Sequence, residues 1–239
     1  MNRKPEALIF DFDGVVADTE PLYWEAWAVI LAMYGIDFSC AEYCRIGRGV
    51  EDERMLRAIP ELAANPALLE KLRQERPARK VMVEEFWREK LPIGEATIEL
   101  LHSLRGYPLG LVTSSRRAAV VPMLETARIA DCFTEAVFGD DTIPRKPDPA
   151  PYLLIRERLA VLSGVAFEDS DAGVESASQA GYEVLRVPAP QALPEIVRTR
   201  LGLSASSSEP FQRKPSPAPS SSVCRSRGTR RTLPGANRS

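Results

Sequence analysis

The chain has 239 residues, 44% of them apolar, enough for one large domain or one domain carrying a smaller insert, with no need of staples. Its four cysteines, Cys40, Cys44, Cys132 and Cys224, lack the close paired spacing of a zinc site and suit reduced thiols in a cytoplasmic protein. The net charge of −2 is uneven: residues 204–239 carry seven Lys/Arg and one acid, leaving 24 basic and 32 acidic residues in 1–203, and no apolar stretch approaches membrane-spanning length.

At the start, Asn2, Arg3 and Lys4 lead straight into an apolar run that stops at Asp11, which is not a cleavable signal pattern. Five such runs recur: Ala7 to Phe10, Leu109 to Val112, Ala136 to Phe138, Val165 to Phe167 and Glu183 to Val187. They suit strands buried on both faces. Because stretches of helical character separate them, they predict an α/β fold, a doubly wound, Rossmann-like, mostly parallel sheet with right-handed crossovers. In such a sheet ligands sit at the carboxyl ends of the strands.

Residues 20–90 are far too long for a simple crossover and read as an inserted all-helical cap, so that 1–19 and 91–203 make the core. Tyr23, Trp27, Ile30 and Tyr34 are spaced as one apolar stripe of its first helix, and Asn65 followed by Pro66 reads as an N-cap and first-turn pair. The tail, 204–239, has ten Ser and five Pro in 36 residues and no apolar periodicity, which predicts disorder.

The chemistry gathers after the strands. The first ends in Asp11-Phe12-Asp13-Gly14, with two acids at i and i+2 and a glycine that permits close backbone approach to an anion. Two converging carboxylates repel unless a cation, a proton or a ligand compensates. The second ends in Thr113-Ser114-Ser115 ahead of a helix expected from Arg116, which offers hydroxyls and free N–H groups to an anion, or simply an N-cap. Lys146, in Arg145-Lys146-Pro147-Asp148-Pro149, is placed to neutralise a phosphoryl oxygen, unless it is an ordinary solvated lysine. The fourth ends in Glu168-Asp169-Ser170-Asp171-Ala172-Gly173, carboxylates of the kind that suit magnesium.

With these four segments in order, residues 6–188 resemble the haloacid dehalogenase-like hydrolases, in the branch with a helical cap after the first strand. Within it, the Asp18-Thr19-Glu20-Pro21-Leu22 opening and the aromatic pair Trp24 and Trp27 resemble the group of beta-phosphoglucomutase, phosphoglycolate phosphatase and sugar-phosphate phosphatases. The resemblance implies a phosphatase acting on a small phosphorylated metabolite, with Asp11 as nucleophile forming an aspartyl phosphate and Asp13 as general acid and base. It implies Mg²⁺ held by Asp11, the main-chain oxygen of Asp13, Glu168 and Asp169. Phosphate would be received by Gly14, Thr113, Ser114, Ser115 and Lys146.

Mutases of the group commonly carry His where this chain has Tyr23, and tyrosine is a poorer proton relay. Arg48, in Ile46-Gly47-Arg48-Gly49-Val50-Glu51-Asp52, falls in the cap specificity loop and is a candidate for a second anionic group of the substrate. A phosphomutase is therefore the alternative to a phosphatase, and a catalytically silent binding protein is disfavoured by the intact acids and Lys146. The single histidine, His102, excludes phosphohistidine chemistry. The basic tail has one aromatic residue, Phe211, too few to stack on a nucleic acid. A monomer with neither membrane nor nucleic-acid partner is expected.

Overall fold

The computed structural model describes residues 4–47, 50 and 52–203. At its centre lie five parallel strands, β1 (Leu8–Phe10), β2 (Leu109–Val112), β3 (Glu135–Val137), β4 (Val165–Glu168) and β5 (Glu183–Arg186), in the order β3-β2-β1-β4-β5. Leu8 stands opposite Leu109 on one side and Val165 on the other, so the first strand made is the central one. The chain runs outward through β2 and β3, then returns to the far side of β1 for β4 and β5. That reversal leaves a crevice at the carboxyl ends of the strands flanking β1.

β1, β2 and β4 are buried at every residue, as their unbroken apolar runs require. The edge strands are not: β3 is only partly buried at Glu135 and Ala136, and β5 exposes Glu183 and Arg186. Having one neighbour each, they use charge to discourage further pairing. The expectation of burial on both faces therefore holds for the three inner strands alone.

Between β1 and β2 the described chain is helical: α1 (Glu20–Ala32), α2 (Cys40–Ile46), α3 (Asp52–Ala58), α4 (Pro60–Ala63), α5 (Pro66–Gln74) and α6 (Arg76–Glu89). These helices enclose a hydrophobic cluster of their own around Trp27, Ile30, Leu31, Met55, Leu56 and Leu72. Trp27 and Ile30 are buried as the stripe on α1 predicts, and Tyr34 lies past the helix end, in the turn that Gly35 closes at φ +73°. Asn65 caps α5 by accepting from the Leu68 N–H at 3.1 Å, with Pro66 in the first turn. The insertion leaves and rejoins the sheet at adjacent points, where the Asp18 N–H donates to the Pro92 carbonyl at 2.7 Å.

Helices cover both faces of the sheet. α7 (Glu95–Ser103), α8 (Arg117–Thr126) and, later in the chain, Leu193–Leu201 pack on the face of Leu8, Phe10, Leu109 and Phe167. α9 (Ala150–Leu159) and α10 (Asp171–Gln179) pack on the face of Ile9, Val112 and Ala166. Gly110 admits α9, since a Cβ there would lie 2.9 Å from Ile155 and 2.8 Å from Ile9. Phe10 and Phe167 stack at 4.9 Å between ring centres and tie β1 to β4 just beneath the crevice. The last helix, α11 (Leu193–Leu201), is closed by Gly202 at φ +65°, with the Leu203 N–H returning to the Arg198 carbonyl. The sequence expectation of disorder for 204–239 lies outside the described residues. Among those described, no helix is long and apolar enough to cross a membrane.

Candidate active site

Asp11 is the residue after β1, and its N–H extends the ladder to the Phe167 carbonyl of β4 at 3.0 Å. That bond fixes it in the crevice, where the side chain is buried. Lys146 reaches it from the loop before α9. The three N–H groups of an ammonium meet three acceptors: Asp11 Oδ1 at 2.7 Å, Glu168 Oε1 at 2.6 Å and the Val112 carbonyl at 2.9 Å. With 6% of its side chain accessible, Lys146 is the opposite of a solvated loop lysine. Burial works against its charge, yet Asp11 and Glu168 hold its pKa above the ordinary value, so it is a cation.

Glu168, at the end of β4, is fully buried. Its Oε1 takes the Lys146 bond and a second from the Tyr152 hydroxyl at 2.6 Å, whereas Oε2 is buried with no hydrogen-bond partner. Side-chain oxygens of Asp11, Glu168 and Asp169 lie within 4.8 Å of one another. Two glycines make room for them. A Cβ on Gly14, which has φ +77°, would fall 2.3 Å from Asp169 Oδ2, and one on Gly173 would fall 2.0 Å from Glu168 Oε2. Burial pushes the Asp11 carboxyl well above its usual pKa, Glu168 and Asp13 adding to the shift while Lys146 opposes it. Three carboxylates against one ammonium leave two negative charges, and a buried carboxylate oxygen lacks a donor. A divalent cation fits that donor set and that charge.

Asp13 belongs to a second group. Residues 12–17 form a tight loop in which the Val16 and Ala17 N–H groups donate to the Phe12 carbonyl and Gly14 N–H to that of Ala17. The loop turns the Asp13 carboxylate toward four hydroxyls. Thr19 and Tyr23 donate to Oδ1 at 2.7 and 3.1 Å, and Ser115 and Thr113 donate to Oδ2 at 2.7 and 3.3 Å. Thr19 sits at the N-cap of α1 but spends its hydroxyl on Asp13 instead of capping. Thr113 also accepts from the Ser115 N–H at 2.9 Å, which leaves Ser114 between them exposed and outside this set of bonds.

Thus Asp11, Asp13, Gly14, Thr113, Ser115, Lys146, Glu168 and Asp169 converge, and Tyr23 of α1 reaches them from the insertion. Arg48 lies outside the described residues. Burial and the neighbouring Asp13 push the Tyr23 phenol upward, which keeps it a proton donor. Behind Tyr23 stands Arg79 of α6, its guanidinium 5.5 Å from the Tyr23 ring centre and 5.4 Å from that of Trp27, with Nη2 donating to Asp52 at 2.8 Å.

A family profile described as haloacid dehalogenase-like hydrolase matches residues 8–187, three quarters of the chain and all four strand-end segments. The chain belongs to the haloacid dehalogenase-like hydrolases. Among relatives of this hydrolase, a phosphorylated carbohydrates phosphatase of Thermotoga maritima is 36% identical over 191 residues, covering 74% of this chain and 82% of that one. A fructose-1-phosphate phosphatase of Escherichia coli is 29% identical over 192 residues, covering 78% and 98%. A solved Thermotoga maritima structure assigned as a beta-phosphoglucomutase superposes with a TM-score of 0.66 at 29% identity, covering 81% of this hydrolase and 99% of that chain.

Sequence reasoning missed Thr19, Arg79 and Tyr152. Thr19 was legible as part of the Asp18-Thr19-Glu20 segment, six residues after Asp13. Tyr152 follows Lys146 by six residues, but only the packing of α9 against β2 and β3 turns its hydroxyl to Glu168. Nothing in the sequence marks Arg79 among the basic residues of α6.

Proposed function

We propose that this hydrolase is a Mg²⁺-dependent phosphatase of small phosphomonoesters, of sugar-phosphate or phosphoglycolate type, working through an aspartyl phosphate on Asp11. One observation carries the reading: a buried carboxylate fixed by an ammonium at the end of β1, with a second carboxylate two residues on held apart from it by four hydroxyls. The two acids so placed suit two roles. The names of the relatives above support a phosphate monoester as substrate.

Asp11 attacks phosphorus, and the bond to the ester oxygen breaks as that oxygen takes a proton that Asp13 must carry into this step, one of the Ser or Thr hydroxyls around it turning from donor to acceptor. Water then loses a proton to Asp13 and attacks the phosphoryl group, releasing phosphate and restoring the Asp11 carboxylate. Lys146 holds Asp11 through Oδ1 and fixes the direction of the other oxygen. The hydroxyls of Thr19, Tyr23, Thr113 and Ser115 orient Asp13 between its two proton transfers. Ser114, exposed in the loop between β2 and α8, offers its hydroxyl to the phosphoryl oxygens, whereas Thr113 and Ser115 reach them only by turning from Asp13. Asp11, Glu168, Asp169 and the Asp13 main-chain oxygen would hold Mg²⁺, which when bound offsets negative charge where an anionic nucleophile meets an anionic ester.

The phosphomutase alternative is disfavoured by Tyr23, whose phenol, pushed upward by burial and by Asp13, stays protonated and is a poorer proton relay than a histidine. Phosphate release from sugar phosphates, phosphoglycolate and nucleotides, with and without Mg²⁺, tests the proposal. Asp11→Asn should abolish turnover with the fold intact, and ordinary Mg²⁺-dependent activity in that variant refutes the nucleophile. Beta-glucose 1-phosphate with a trace of the 1,6-bisphosphate should release phosphate. Formation of glucose 6-phosphate far ahead of phosphate would establish the mutase instead.

A further inference from the structure

Tyr152 stands on α9, behind the acid cluster, and its hydroxyl ends 2.6 Å from Glu168 Oε1. Its ring is fully buried, edge-on to Tyr182 with centres 5.5 Å apart, and the Lys146 ammonium lies 5.3 Å from the ring centre. The phenol O–H is the donor in that bond, since an ionised carboxylate only accepts.

The consequence falls on Glu168. A carboxylate can present either oxygen to a neighbour by turning about its last torsion, which is broad. Here two donors, Lys146 and Tyr152, converge on Oε1, each at 2.6 Å, and occupy its lone pairs. Oε2 is left buried without a donor, in the space that Gly173 keeps clear. An unpartnered buried carboxylate oxygen is costly in a folded protein unless something else compensates it. Lys146 divides its three bonds among Asp11, Glu168 and the Val112 carbonyl, so it supplies only one of the two donors at Oε1. The phenol is rigid and its ring is locked in the core.

We propose that Tyr152 is a positioning residue of the cation site: by pinning Oε1 of Glu168 it presents Oε2, beside the oxygens of Asp11 and Asp169, to a divalent cation. The inference rests on the metal-dependent reading above and goes beyond it, to a side chain that touches neither cation nor substrate.

The probe is Mn²⁺, titrated without substrate and followed by the electron paramagnetic resonance signal of the free ion. Tyr152→Phe should bind Mn²⁺ about 10-fold more weakly than the unaltered protein, the size expected when a partner of a metal ligand is removed. The Mg²⁺ concentration giving half-maximal phosphate release should rise by a similar factor. Tyr182→Phe is the comparison, since it deletes a core hydroxyl whose bond runs to the Tyr152 carbonyl at 3.4 Å and not to the site. It should bind Mn²⁺ as the unaltered protein does. Undiminished Mn²⁺ binding by Tyr152→Phe overturns the proposal, and so does equal weakening in both variants, which would reflect packing alone. Failure of the unaltered protein to bind Mn²⁺ would instead strike the metal-dependent reading itself, and this inference with it.

Discussion

Replacing Lys146 by Met keeps the length of an apolar stem and deletes the charge. The side chain is almost entirely enclosed, and its ammonium serves two carboxylates and a carbonyl at 2.6 to 2.9 Å. Removing one partner of a buried pair costs about 3–5 kcal/mol, because the surviving charge is stranded. The loss is not doubled for two carboxylates, since Asp11, already shifted upward by burial, takes up a proton in place of the lost cation. Against a total stability of about 5–15 kcal/mol the variant still folds. For a chain of this size each kcal/mol lowers Tm by about 2–4 °C, so a drop of roughly 6–20 °C is expected in chelator. Mg²⁺ should raise the Tm of the variant no more than that of the unaltered protein, because the proton on Asp11 keeps the charge of the site the same and must be displaced first. Differential scanning calorimetry with chelator and with Mg²⁺ measures both quantities. A Tm within about 2 °C of the unaltered protein in chelator would refute the argument that Lys146 is a structural counter-charge.

Asp13→Ala should slow hydrolysis of alkyl phosphates far more than that of nitrophenyl phosphate, whose leaving group needs no proton; equal losses, read from burst kinetics, would remove Asp13 as the acid. Gly14→Ala puts a side chain at φ +77° and onto Asp169 Oδ2, so it should cost about 1–2 kcal/mol from the backbone alone and raise the Mg²⁺ requirement; an unaltered requirement in steady-state assays argues against Asp169 at the cation. Deleting residues 204–239 keeps the Leu203 closure of α11 and should leave Tm and phosphate release unaltered, whereas loss of either would show that the tail docks.

What could be read from the sequence followed from strong local signals. Leu8–Phe10 and Val165–Glu168 are short apolar runs ending in acids, and burial on two faces leaves such runs little freedom to vary, so both the strands and the residues after them were legible. The helical insertion was visible from its length, and Asn65-Pro66 from cap chemistry. Degree of burial was less so, because an edge position such as β5 depends on strand order, which Glu183 to Val187 does not encode locally. Adjacent hydroxyls posed a similar problem: Ser114 and Ser115 are chemically alike, and only the turn after β2 decides that Ser115 faces Asp13. Tyr152 and Arg79 were hidden for a third reason. Each acts across an interface between separate elements, where a pattern of period 2 or 3.6 carries no information.

The position of β1 also sets an order in time. Leu8–Phe10 is synthesised first but lies between β2 and β4, and Asp169 follows Asp11 by 158 residues. At about 5–20 residues per second a ribosome needs roughly 8–30 s to cover that distance. During that interval the nascent chain carries the proposed nucleophile without the acids at the end of β4, and an apolar strand with no partner on one side. The helices of the insertion, complete by Glu89 and provided with their own apolar cluster, are the first part able to bury itself. β1 is therefore enclosed on both sides only once β4 is made, and a chain that stops short of β4 lacks Glu168 and Asp169 of the proposed site.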